Sequence, residues 1–507
     1  MRTNSKYCTR IVALTIARRV RKAIRVSRLI NATHGVHGTV LLLAMALALP
    51  CMAQKDTPLA APKAVVPQQW SGSAAGVTTE TPQQLASWWD RFGDPLLNQY
   101  VAKALAQSPS IRTALSKLRA SRAALRLAHA GNWPTLTATA AGSRSDTEST
   151  SSYSSSHGGT FNPAFDASWE PDINGAQRST IAGAQADYLA TEFDLRDAQV
   201  SLAAEVATDY VDIRSYQQRL QIARDNAKSE TETLEITQWR EQAGLSTELD
   251  VQQALATRDQ TQAQIPTLES SLAQAEHALE ILLGEAPGSL QAELAAVKPV
   301  PAPPEQIAIG IPADTLRQRP DLRAAETRIL AESARWQKQK AGRMPSLSLS
   351  GSLGVEITSG ALTGGTSLIS SLAATLTQTV FDKGRIRQQI EAQGAVEEQA
   401  VITYESDVLT ALKDVEDALT AFARDRERLA SLQTAAAAAR SADQLARIRY
   451  EAGQSDFTTV LETERTVLTL EDTLASTTAD RTTALIQLYK ALGGGWSQQP
   501  VTTTGRK

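Results

Sequence analysis

Few side chains in this sequence are spaced for chemistry. Beyond Ala53 the histidines are His129, His157 and His277, scattered over three segments. His277 and Glu280 share a helical face at i and i+3, but a lone pair of this kind is an ordinary surface contact before it is a metal site. Gly360 to Gly365 lacks the Lys-Ser/Thr ending of a phosphate loop and reads as a loop between strands. No Gly-x-Ser-x-Gly nucleophile elbow stands out. The most suggestive acids are Asp456 and Glu462, which with Tyr450 surround a glycine turn in the stretch Arg449 to Glu462. Taken alone they are a solvated turn and a helix cap. No enzyme and no cofactor are expected, and any active transport must be driven by a partner.

The elements that hold this turn are more informative than the turn. An earlier copy runs from Trp239 to Val251, and Gly244 and Gly453 are 209 residues apart. From Gly175 the helical pattern continues without a strong breaker to Gly244, on the order of 100 Å at 1.5 Å per residue. Leu195, Leu202, Val206, Ile213 and Leu220 make a coiled-coil seam along it. A return helix from about Thr247 to Leu283 ends at Gly284, with Pro266 expected to kink it. The second half repeats the plan. Gly384 matches Gly175, Val415 matches Val206, and Leu492-Gly493 matches Leu283-Gly284, all at the same offset. Two long α-hairpins follow, with their turns at one end. In each half, two shorter helices laid end to end match the long one in length.

Between the short and long helices the period changes from helical to two. Leu136, Ala138 and Ala140 alternate with threonines. Phe161, Pro163, Phe165, Ala167 and Trp169 alternate with polar or small residues. In the second half Leu347, Leu349, Leu353, Val355 and Ile357 oppose Ser346, Ser348, Ser350, Ser352 and Glu356. Leu368, Leu372, Leu376 and Val380 share the apolar face. Runs of about 10 residues with this alternation suit tilted membrane strands.

The division expected is a signal segment at 1–53, an extended segment at 54–85 and a first repeat at 86–284. That repeat holds a strand pair at about 134–172 and a long hairpin at about 175–284. A Pro-rich linker spans 285–312. The second repeat, 313–496, holds a strand pair at about 345–381 and a long hairpin at about 384–492; a tail at 497–507 follows. Residues 1–53 carry nine Lys or Arg, no acid and an apolar run, Val40 to Leu49, too short to span a bilayer. Two cleavages compete: after Ala53, or before Cys51 with acylation of that cysteine, the latter slightly preferred. The rest holds 42 basic residues (51 less nine) against 54 acidic, a net of −12 that disfavours nucleic acid as a partner. Aromatics at 5% and abundant alanine favour long packed helices over a globular enzyme core.

Four strands cannot close a membrane barrel alone, so identical subunits must donate strands around a ring. The polar strand faces then suit a wet lumen and the apolar faces suit lipid. The alternative is a secreted trimeric coiled-coil rod or adhesin without a pore.

Several stretches resemble the outer-membrane factor (TolC-like) family, in particular the lipoprotein-type channels of RND efflux systems. They are Trp88 to Pro95; Arg319-Pro320-Asp321 with Ala324-Ala325-Glu326; Val380 to Arg385; Tyr450 to Gly453 with Val460-Leu461; and Leu488 to Trp496. The resemblance implies a mainly α chain with membrane β: a homotrimer with a 12-stranded outer-membrane barrel, continued by a long α-helical periplasmic barrel. It implies an exit duct in the outer membrane, docked through its tips to a periplasmic membrane-fusion adaptor and an inner-membrane transporter of RND type. By position Tyr450 matches the family's gate tyrosine, and Glu462 falls where a constriction-ring aspartate is common. The sequence departs from the family at Thr459 and Ser455, where Asp456 supplies an acid instead. Gly244, Leu245, Ser246, Gly453, Gln454 and Ser455 are the expected adaptor contacts.

Overall fold

The computed structural model describes residues 85–149, 154–304, 316–360 and 364–496, with 67, 70, 77–78 and 307–308 beside them. They fall within one unit, Ala61–Lys507. The signal segment and Cys51 lie outside the described residues.

The first repeat contains α1 (Pro95–Gln107), α2 (Pro109–Ala130), β1 (Thr135–Ser149), β2 (Ser154–Trp169), α3 (Ala176–Gln242) and α4 (Glu248–Leu283). The second contains α5 (Pro320–Ala341), β3 (Ser346–Gly360), β4 (Gly365–Thr377), α6 (Arg385–Glu451) and α7 (Phe457–Ala491). Helices start where local chemistry favours them. Asp94 caps α1 by accepting from the N–H groups of Leu96 and Leu97 at 2.9 and 3.4 Å, and proline opens α1, α2 and α5. Helix α4 runs through Pro266 as one element. Val380, expected on the apolar strand face, lies three residues beyond the end of β4 and is 95% exposed.

End-to-end stacking occurs in both repeats. A Cβ placed on Gly284, past the end of α4, would lie 3.3 Å from the Gln107 carbonyl, at the α1–α2 junction. One on Gly493, past α7, would lie 3.1 Å from the Cα of Arg319 at the start of α5. Each stacked pair flanks a long helix. Helix α3 packs against α2 and α4 and against α5 and α7, while α6 packs on α5 and α7.

The four strands form one antiparallel sheet in the order β1-β2-β3-β4. Phe165 pairs with Ala138 and with Leu353, and Leu353 with Ser370, so one register carries the alternation across the sheet. Phe161, Phe165, Leu353, Leu368, Leu372 and Leu376 share one exposed face. Threonines of β1, Asp166 and serines of β3 take the other, where Thr139 donates to Asp166 at 2.9 Å.

The main core sits where the two repeats meet, at mid-height of the helices. Trp88 is fully buried and stacks on Tyr489 at 5.3 Å. The Gly495 N–H donates to the Leu85 carbonyl at 2.9 Å, and the Trp496 indole N–H to the Gln318 carbonyl at 3.2 Å. Thus sequence stretches far apart, each glycine- or tryptophan-rich, converge on one belt. The segment after Gly284 is also built in. Leu290 and Leu294 are buried, the Glu280 carboxylate accepts from the N–H groups of Gly288 and Leu290 at 2.7 and 2.8 Å, and a turn of helix covers Gln291–Leu294. Composition alone marked it as a linker. Ile307–Ala308 pairs in parallel with Val77–Thr78, joining two segments that lack periodicity of their own.

Candidate functional site at the hairpin tips

Both hairpin turns use the same backbone device. The N–H of Gly244 donates to the Glu241 carbonyl at 2.8 Å, and that of Leu245 to Arg240 at 2.8 Å. Gly453 and Gln454 donate likewise to Tyr450 and Arg449, at 2.9 and 2.8 Å. These are Schellman endings, which place the residue after the helix in the left-handed region; Gly244 and Gly453 have φ of +73° and +69°.

The helices leaving the turns begin differently. Thr247 and Asp250 make a capping box, and Asp250 also accepts from the Ser246 hydroxyl at 2.9 Å. The Thr247 N–H, with the Thr247 and Ser246 hydroxyls, holds the Asp250 carboxyl below its ordinary range. Asp456 occupies the corresponding cap of α7, but its side chain accepts no capping bond and is exposed. Glu462, six residues further on, is exposed. Leu245 is 70% exposed, Gly244, Gly453 and Gln454 are exposed, and Ser246 and Ser455 are half-buried.

Tyr450 is placed quite differently from the two acids. It is buried in a small apolar cluster with Leu234, Ala254, Ala446, Phe457 and Val460, drawn from all four hairpin helices. Its ring lies 5.3 Å from that of Phe457. Arg240 of the first hairpin covers the other side, its guanidinium 4.5 Å from the ring centroid, and donates to the Tyr450 and Glu451 carbonyls at 3.1 and 3.4 Å. One cation thereby caps the open end of α6 and binds an aromatic face. The Tyr450 hydroxyl is buried without a hydrogen-bond partner among the described residues.

Sequence reading passed over Arg240 and a polar layer behind it. There Glu464 accepts from the Thr233 hydroxyl at 2.6 Å and from Arg447 at 2.9 Å, while Glu230 accepts from Thr261 at 2.9 Å. These residues look like solvated helix positions in the sequence. The one available signal was that Arg240 stands at the Arg449 position of the repeat, on the last turn of its helix.

Open strand edges beneath paired long hairpins, with an aliphatic sheet face turned outward, define an outer-membrane efflux channel. The chain belongs to the outer membrane efflux protein family, whose model matches residues 100–285 and 311–494. It is similar to the pyoverdine export outer membrane protein OpmQ of Pseudomonas aeruginosa, at 31% identity over 85% of this chain and 91% of that one. It is also similar to the outer membrane protein OprJ of the same organism, at 32% identity over 91% of this chain and 96% of that one. Among solved structures, the outer-membrane channel OprN superposes with a TM-score of 0.78 at 32% identity, covering 87% of this chain and 99% of that chain. Three copies of the four strands make the 12-stranded barrel of the fold class, with the helical barrel continuing it into the periplasm. The pore-less adhesin alternative has no support among these relatives. Among the described residues no helix is long and apolar enough to cross a membrane.

Proposed function

We propose that this chain is the exit duct of a tripartite export assembly, fed by an inner-membrane transporter of RND type through a periplasmic adaptor. The observation that carries this reading is the matched order of open edges at two levels. In the sheet, β1 and β4 are the outer strands. In the helical part, the α2–α4 stack and α6 lie at opposite sides of α3 and α5–α7. Unpaired strand edges are untenable in lipid, so each β4 meets the β1 of a neighbouring copy, and a ring closes. Ile402, Leu409, Leu445 and Ile448 on α6, each more than half exposed, supply apolar contacts for that neighbour.

In this reading Tyr450, Asp456 and Glu462 belong to the periplasmic gate in two ways. Tyr450 acts from inside the protomer, holding the two hairpins together; Asp456 and Glu462 act from the surface, where a three-fold axis gathers their charges. Gly244, Leu245, Ser246, Gly453, Gln454 and Ser455 form the adaptor contact, and Cys51 carries a lipid anchor. The relatives include a pyoverdine exporter and a toluene efflux channel, which fits a duct whose cargo is chosen by the pump. Purified protein in planar bilayers tests the core of the proposal. Heat-resistant trimers that conduct are expected, with higher basal conductance after Tyr450→Phe with Glu462→Ala. A trimer that never conducts, even with the tip acids neutralised, overturns it.

A further inference from the structure

The polar layer behind Tyr450 buries two carboxylates from different hairpins. Glu230 of α3 and Glu464 of α7 are each only 2% exposed. Arg447 of α6 pairs with Glu464 at 2.9 Å and is shared with Asp443 of its own helix, also at 2.9 Å. Helix α4 contributes the Thr261 hydroxyl, bound to Glu230 at 2.9 Å. On α7, Arg465 and Asp472 line the same region, Asp472 being paired with Arg219 of α3 at 2.6 Å. The Oε2 atoms of Glu230 and Glu464 are both buried without a hydrogen-bond partner among the described residues. Two buried charged carboxylates, of which only Glu464 has an ion-pair partner among the described residues, are costly, and the inexpensive remedy is a proton. Burial pushes the Glu230 carboxyl up to about 7, and Glu464 adds to the rise, with Thr261 and Arg447 opposing it in part. Burial also raises Glu464, against the pull of Thr233 and Arg447.

A proton has a route in. Glu230 lines a cavity of about 230 Å³ between α4 and α7, walled by Thr261, Gln264, Thr469 and Asp472. The cluster lies some 20 Å along α3 from the Gly244 turn, at 1.5 Å per residue.

We propose that Glu230 and Glu464, the latter paired with Arg447, form a proton-operated clasp that fastens the first hairpin to the second above the tips. With Glu230 neutral, Thr261–Glu230 and Thr233–Glu464–Arg447 tie α3 to α4, α6 and α7. When Glu230 loses its proton, a second buried anion faces Glu464, and the relief is separation of the hairpins and entry of water. The closed packing binds the extra proton, so it is tightest below the ordinary glutamate range. It weakens as pH rises towards 7, by no more than tenfold in the opening constant per pH unit for one proton. The effect on packing stands on this cluster alone; any effect on conductance rests also on the tip-gate reading above.

The test uses the full-length trimer in lipid, compared with Glu230→Gln, which keeps the acceptor for Thr261 and removes the titration. The infrared spectrum of the wild type less that of Glu230→Gln should contain a protonated carboxyl band that disappears with a midpoint near pH 7, the contribution of Asp209 cancelling between the two. Hydrogen exchange of peptides covering 230–242 and 457–468, corrected for intrinsic rates, should accelerate about tenfold or more from pH 5.5 to 7.5 in the wild type and stay level in the variant. No carboxyl band in that wild-type-less-variant spectrum, or an acceleration equal in both proteins, overturns the clasp whatever the conductance does. Exchange that responds as expected while conductance stays flat with pH supports the clasp and removes the tip gate instead.

Discussion

The guanidinium of Arg240 lies 4.5 Å from the Tyr450 ring centroid and donates to the Tyr450 carbonyl at 3.1 Å, joining the last turns of two helices from different repeats. Because the Tyr450 hydroxyl has no partner among the described residues, the ring and the carbonyl make the junction. Arg240→Ala should therefore loosen the tips more than Tyr450→Phe alone, by about 2–3 kcal/mol for a desolvated cation–π contact with a charged hydrogen bond. Single-channel recording checks the order: basal conductance should rise most in Arg240→Ala and least in Tyr450→Phe.

The joint between the two strand pairs is tightly packed. A Cβ at Gly354 would sit 2.7 Å from the Ala164 Cβ and 2.9 Å from the Pro163 carbonyl, whereas one at Gly351 meets nothing closer than 3.5 Å. Gly354→Ala should strain the β2–β3 pairing by about 1–3 kcal/mol. Heat-resistant trimer on a gel should fall in Gly354→Ala and persist in Gly351→Ala.

Neighbouring positions of β4 report the two sides of the wall. Leu372 is 88% exposed on the aliphatic face, and Ser371 pairs with Ser352 on the polar one. Leu372→Arg places a charge in lipid, at a cost of about 2–4 kcal/mol near the midplane, and should lower the amount of channel in the outer membrane. Ser371→Arg should assemble normally and shift ion selectivity towards anions, read from reversal potentials.

Asp209 on α3 adds a pH dependence. Burial, with Asp212 and Glu205 nearby, pushes its carboxyl up to about 7. The folded chain therefore holds a proton that the unfolded chain releases, and stability from this group declines as pH rises from the ordinary aspartate range to about 7. Thermal melts should show that decline in the wild type and a flatter profile in Asp209→Asn.

Much of the architecture is written in local patterns. The length of α3 and α6, the switch to period two, the offset of 209 between Gly244 and Gly453, and the Schellman glycines all follow from residues a few positions apart. The alternation of Leu347 to Ile357 also states which strand face is apolar, since a one-residue slip would turn every side chain over. Such features obey rules of backbone geometry, and the sequence determines them unaided.

The contents of the interfaces are another matter. Glu230, Thr233 and Glu464 occupy polar positions on amphipathic helices and look solvated, yet packing of α4, α6 and α7 removes Glu230 and Glu464 almost wholly from water. Arg240 resembles its repeat mate Arg449 until tertiary packing sets one against Tyr450 and leaves the other exposed. Leu290 and Leu294 sit in a proline-rich stretch and still complete the core. Burial on a long helix depends on partners some 200 residues away in the chain, whose faces overlap only after the two repeats dock. The helices, strands and turns were thus decided by neighbours in the sequence; the buried acids, the shared guanidinium and the Arg240–Tyr450 junction were decided by docking.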